Sequence, residues 1–127
     1  MWATLKVDGA YEVHEGIPTL DQLQTAVSGD VEVVAIKRGI DMWINEEGKY
    51  QTPARNLLAG VLTMGLLFPG DYIAGDVVFT GGADEEGETL GLSDEQVEYL
   101  NQLRPPAGHA TRVIEAIGLV DVTGIQV

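Results

Sequence analysis

The sequence predicts an α+β fold: a single compact domain with a mostly antiparallel sheet, a buried helix at about 53–67 on one face, and extra helices toward the C-terminus. Three observations carry this. Short β-rich runs separated by turn residues recur at 4–7, 11–14, 31–36 and 77–80. Two Ser/Thr-x-x-Gln capping boxes, Thr19 with Gln22 and Ser93 with Gln96, mark helix starts. The element order is strand, strand, helix, hairpin, helix, strand, hairpin, helix, which lacks the βαβ alternation of a doubly wound parallel sheet.

Each element has its own local reason. The runs 4–7 and 11–14 flank Gly9-Ala10, which reads as a hairpin turn. After the break at Gly16-Ile17-Pro18, Leu20, Leu23 and Val27 repeat at helical spacing, and Gly29 is placed to end that helix in the left-handed region. Run 31–36 is β-branched. Lys37-Arg38-Gly39 turns the chain, and Ile40, Met42 and Ile44 then alternate with Asp41, Trp43 and Asn45, as in a half-buried strand. Thr52-Pro53 suits a helix start, because proline lacks only an amide that the first turn leaves unpaired. From 57 to 68 apolar residues fall on nearly every face, which predicts a buried helix with Gly60 and Gly65 packed close to the sheet.

Run 77–80 is a further strand, and 88–92 is placed to pair back as a hairpin partner across the acidic turn 81–87. Ser93 and Gln96 open a helix at about 94–103, with Leu92 and Val97 as its hydrophobic staple. Arg104-Pro105-Pro106 ends it. Ala110, Val113, Ile114 and Ile117 suggest a last helix at 109–117, and 120–127 is either a final strand or a frayed tail. The 127 residues read as one domain, with 105–127 as an extension packed on it.

Composition excludes several functions. There are 20 acidic against 7 basic residues, a net charge of −13. Nucleic acids and anionic membranes are bound through Lys and Arg, so direct nucleic-acid binding and membrane-surface binding are not expected. Cysteine is absent, which removes disulfides, thiolate metal sites and thiol nucleophiles. The N-terminal residues lack a basic segment followed by an apolar run, so a signal peptide is not expected. The apolar stretch 57–68 is short of the ~20 residues of a membrane span. A cytoplasmic protein is the expectation.

The search for chemistry ends mostly in absences. Gly81-Gly82 is followed by acids and lacks the G-K-[ST] of a phosphate loop. His14 and His109 are too far apart for a helical metal pair. Of the two serines, Ser93 is used as a cap, and neither sits in G-x-S-x-G. The run 84–88 is acidic but misses calcium-loop spacing. No catalytic residue, metal ligand or cofactor is assigned.

Two features stand out. Residues 84–98 hold Asp84, Glu85, Glu86, Glu88, Asp94, Glu95 and Glu98 with no base among them. Asp94 and Glu95 suit the first turn of a helix. Asp84, Glu85, Glu86 and Glu88 exceed what a turn needs and read either as a partner-binding surface or as solubilising charge. Trp43 faces away from Ile40, Met42 and Ile44. It reads either as a partner anchor or as one side of a sheet face that a helix covers. Asn45 and Asn56 are candidates for lining a ligand pocket.

A set of short pieces also carries a resemblance. They are Leu23-Gln24 with Val27-Ser28-Gly29-Asp30-Val31-Glu32-Val33-Val34, Ile44-Asn45-Glu46-Glu47-Gly48-Lys49, and Asn56 opening an Ala/Leu helix. Gly75-Asp76-Val77-Val78-Phe79-Thr80-Gly81 and Gly91-Leu92-Ser93-Asp94-Glu95 complete it. Over about 19–96 the chain resembles a small domain-of-unknown-function family that recurs in actinobacteria, their phages and plasmids. The resemblance implies a compact α+β domain, intracellular expression and a mobile-element setting, and it implies no activity or site residues. With the charge pattern, the leading expectation is a non-enzymatic acidic protein that binds a host or phage protein. The alternatives are a small-ligand-binding or sequestering protein and a small carboxylate-based enzyme.

Overall fold

In the computed structural model, which describes residues 1–48, 54–63 and 71–103, five strands form one antiparallel sheet. They are β1 (Trp2–Leu5), β2 (Tyr11–His14), β3 (Val31–Ala35), β4 (Ile40–Asn45) and β5 (Val77–Gly81), in the order β2-β1-β5-β4-β3. Helices α1 (Leu20–Val27), α2 (Leu57–Leu62) and α3 (Asp94–Leu103) complete the described architecture. The fold class is the expected one.

Alternation along the strands divides the side chains between two layers. Ala3, Leu5, Ile40, Met42, Val77 and Phe79 point into the main core, where Leu58, Ala59 and Leu62 of α2 and Leu100 of α3 meet them. Trp2 and Val78 point the other way and pack with Leu23 and Val27 of α1, joined at the margin by Trp43. Helices therefore cover both faces. That is why β5, the central strand, is buried at every residue and reads as an unbroken apolar run with Thr80 and Gly81 at its end.

The first hairpin sits two residues earlier than its expected first strand. Val7 belongs to the turn, where the Lys6 amide donates to the Ala10 carbonyl (2.8 Å) and the Gly9 amide to the Lys6 carbonyl (2.9 Å). Gly9 has φ +91 there, a region that glycine enters without the Cβ clash. Helix α1 has the expected box: the Gln22 amide donates to Thr19 Oγ1 (3.1 Å), and the Thr19 amide to Gln22 Oε1 (2.9 Å). Its C-terminal end differs from expectation. Ser28, not Gly29, takes the left-handed conformation (φ 65, ψ 37). The Gly29 amide then reaches the Gln24 carbonyl (3.0 Å), a Schellman closure. Gly29 supplies space instead, since a Cβ there would lie 2.6 Å from Asn45 Nδ2.

The expected 31–45 hairpin forms from β3 and β4, with Val33 opposite Trp43 and Val34 opposite Met42. Helix α2 begins later than the expected position 53. Residues 54–56 are extended: Arg55 bridges to Ala74, and the Gly75 amide donates to the Ala54 carbonyl (2.9 Å). Asn56 is the N-cap, its Oδ1 accepting from the Ala59 amide at 3.2 Å. Pro53 and Gly65 lie outside the described residues. Gly60 is not a close-packing position, because a Cβ there would meet nothing within 4 Å. The expected partner run 88–92 is reduced to one bridge, Ala83 to Thr89.

Helix α3 has its box as well: the Gln96 amide donates to Ser93 Oγ (3.1 Å), and the Ser93 amide to Gln96 Oε1 (2.9 Å). Gln96 Nε2 also donates to the Arg38 carbonyl (2.9 Å), and the Arg38 guanidinium lies 4.8 Å from the centre of the Tyr99 ring. These contacts fasten α3 to the β3–β4 turn. Ser93→Ala is expected to lower stability by about 0.5–2 kcal/mol and Ser93→Asp to keep it close to wild type, read in denaturant melts. Equal behaviour of the two variants would contradict the capping role. The expected helix at 109–117, the stretch 120–127 and the extension 105–127 lie outside the described residues.

Candidate binding surface

The acidic connection after β5 is a closed loop whose geometry follows from Asp84. The Asp84 amide donates to the Glu88 carbonyl (2.9 Å) and the Gly87 amide to the Asp84 carbonyl (3.0 Å), with Gly87 at φ +84. The Asp84 carboxylate folds back and accepts from the Glu86 and Glu88 amides, each at 2.9 Å. Turn chemistry thus explains one acid of the run. It leaves Glu85, Glu86 and Glu88 exposed on the same short loop, with Asp94, Glu95 and Glu98 exposed along α3 beyond it.

Trp43 does not join this loop. It lies in mid-sheet opposite Val33 and Val78, half-buried beside the α1 layer, and its Nε1 donates to the buried Thr80 hydroxyl at 2.9 Å. Of the two readings of its face, the one described is cover by a helix. Asn45 and Asn56 are both buried and both hold backbone. Asn45 Nδ2 donates to the Val27 carbonyl (3.0 Å), and its Oδ1 accepts from the Glu47 amide (2.7 Å), so it ties the end of α1 to the end of β4. Asn56 Nδ2 donates to the carbonyls of Leu5 and Gly75, each at 3.0 Å, while its Oδ1 caps α2. Asn45 also lines a cavity of about 430 Å3 beside Ile44 and Tyr72.

A second cavity, of about 420 Å3, was not anticipated. It is a groove between α1 and the β1–β2 hairpin, with Trp2 and Ala26 as apolar lining and Glu12, Asp21 and Asp76 among its charged residues. The Trp2 and His14 rings sit 4.2 Å apart at 30°, and Thr4 Oγ1 lies 3.3 Å from His14 Nε2. Asp76 accepts from the Val7 amide at 3.0 Å. The sequence does contain a signal for one wall. Trp2, Thr4, Glu12 and His14 share one face of the hairpin by alternation and register. Nothing in local sequence places α1 opposite that face.

Elsewhere, desolvation raises the carboxyl pKa of Asp41, half-buried on β4, above the ordinary aspartate value. Asp41 lines neither cavity. Among the described residues no group of three or more His, Asp or Glu is placed to hold a metal ion. Among the same residues no helix is long and apolar enough to cross a membrane.

Comparison with known proteins places these features in a family. No curated protein and no solved structure matches the chain. A family model described as a domain of unknown function, DUF3846, matches residues 3–104. That span runs beyond the resemblance at 19–96. It takes in most of β1, all of β2 and the end of α3, and thus the whole described sheet apart from Trp2. With most of its length inside that match, the chain belongs to the DUF3846 family.

Proposed function

We propose that this domain is a non-enzymatic protein of a phage or mobile element. In the cytoplasm it binds a basic surface on a host or phage protein through the acids of the 84–88 loop and α3. One observation carries the reading. The loop uses Asp84 to close its own backbone and leaves Glu85, Glu86 and Glu88 exposed, with no basic residue between 84 and 98 in sequence. Exposed carboxylates contribute little to folding, so stability alone does not explain a run of them. Like charges gathered on an exposed loop steer a basic partner and raise its association rate.

The test is a triple substitution. Glu85→Gln, Glu86→Gln and Glu88→Gln together are expected to melt within about 0.5 kcal/mol of wild type, as exposed positions do. The variant is expected to lose the partner that wild type captures from a host lysate. A variant that retains both melting behaviour and partner would contradict the reading.

The groove favours a second reading, a small-ligand-binding or sequestering protein, since its volume of about 420 Å3 falls in the range of ligand clefts. For a carboxylate-based enzyme, Asp41, whose carboxyl pKa burial raises, gives no support at these two cavities, since it lines neither.

A further inference from the structure

We infer that the groove between α1 and the β1–β2 hairpin is the seat for an arginine side chain of the basic partner. This rests on the proposed function and assigns the partner's anchor to a place the acidic loop does not occupy. Three carboxylates line the groove, those of Glu12, Asp21 and Asp76, against the single ammonium of Lys6. The groove therefore selects for positive charge. Its apolar lining, Trp2 and Ala26, suits the methylene stem of a long side chain, whose charged head then reaches the carboxylates. Arginine fits better than lysine because its planar fork donates to more than one carboxylate at a time.

The position of the groove agrees. Gly91, where the acidic connection returns to the core, packs so closely that a Cβ on it would lie 2.9 Å from the Met1 backbone nitrogen and 3.7 Å from the Gly16 carbonyl oxygen. The connection thus returns beside the start of β1 and the end of β2, the end of the hairpin where Trp2 and His14 pair.

The experiment uses the full chain labelled with nitrogen-15, with hexa-arginine and hexa-citrulline as probes. Citrulline keeps the shape of arginine and lacks its charge. Hexa-arginine is expected to shift the Trp2 indole and His14 ring signals saturably while the Trp43 indole signal stays in place, and hexa-citrulline to shift none. Glu12→Gln with Asp21→Asn, both exposed, is expected to weaken hexa-arginine binding about tenfold, as loss of two nearby charges should. Thr25→Tyr, an exposed helix position that fills the groove without changing charge, is expected to abolish the Trp2 shift. Hexa-arginine binding that shifts only residues 84–98 would overturn the groove and leave the acidic-surface reading standing. Groove binding that is unchanged in the triple Gln variant would support the groove and count against the loop. No binding of hexa-arginine, or equal binding of hexa-citrulline, would overturn the inference.

Discussion

Leu62→Asp is expected to unfold the domain. Leu62 is 7 % exposed and packs in the main core that also holds Leu58, Phe79 and Leu100. The substitution removes that packing, worth about 2–5 kcal/mol for truncations of this kind. It also places a carboxylate in a largely dry core, which costs several kcal/mol more unless the group stays protonated. A domain of this size has only about 5–15 kcal/mol in total. Circular dichroism at neutral pH is expected to show no cooperative thermal transition. Leu62→Met, which conserves volume, is expected to cost less than about 1.5 kcal/mol. A Leu62→Asp protein that melts like wild type would place α2 at the surface and contradict the architecture.

The second large effect is expected at Asn56. Its amide makes three hydrogen bonds from a site 2 % exposed, joining α2, β1 and the segment before β5. Asn56→Ala leaves the Leu5 and Gly75 carbonyls and the Ala59 amide without this partner, at about 1–3 kcal/mol for each buried group. A loss of roughly 3 kcal/mol or more is expected in urea melts. Asn56→Asp separates the two roles. Aspartate caps a helix as well as asparagine does, but it presents a carboxylate oxygen to two carbonyl oxygens that need a donor. It is therefore expected to rescue little. If either variant keeps wild-type stability and alters only ligand binding, Asn56 is a binding residue and not a structural tie.

Asn56 also marks where sequence reasoning reached its limit. A Thr-Pro pair announces a helix at 53 by local rules, yet the helix begins at 57. Residues 54–56 pair with the segment 73–75 instead, and Asn56 donates to Leu5, far away along the chain. Long-range pairing overrode a local signal. The same holds for β5, which inserts between β1 and β4 through registers that set Phe79 beside both Ala3 and Met42. Nothing in residues 77–81 specifies those neighbours.

The features that were legible rest on contacts within a few residues. Both capping boxes join residues three apart in sequence. The Ile40–Met42–Ile44 alternation follows from strand geometry alone. Ser28 shows how close competing local solutions lie: the turn needs one left-handed residue, and the chain places it one position before the glycine. Gly29 is kept small by Asn45, a contact invisible in the local pattern. For the candidate surface, composition disclosed the acidic run. Only the folded loop separated Asp84, which holds backbone, from the three glutamates that do not. The groove was hidden for the same reason as β5, because its two walls meet only in the fold.

In the proposed complex, charge on an exposed acidic surface holds the partner. The most direct test is the affinity of the wild-type complex measured across a salt titration. Screening shortens the Debye length from about 30 Å at 0.01 M to about 10 Å at 0.1 M and about 3 Å at 1 M. A complex held by this surface is expected to weaken steeply and continuously over that range, and the Glu85, Glu86 and Glu88 to Gln variant to show both lower affinity and a shallower dependence. Affinity that stays level from low to high salt, with the variant superimposed on wild type, would contradict the claim.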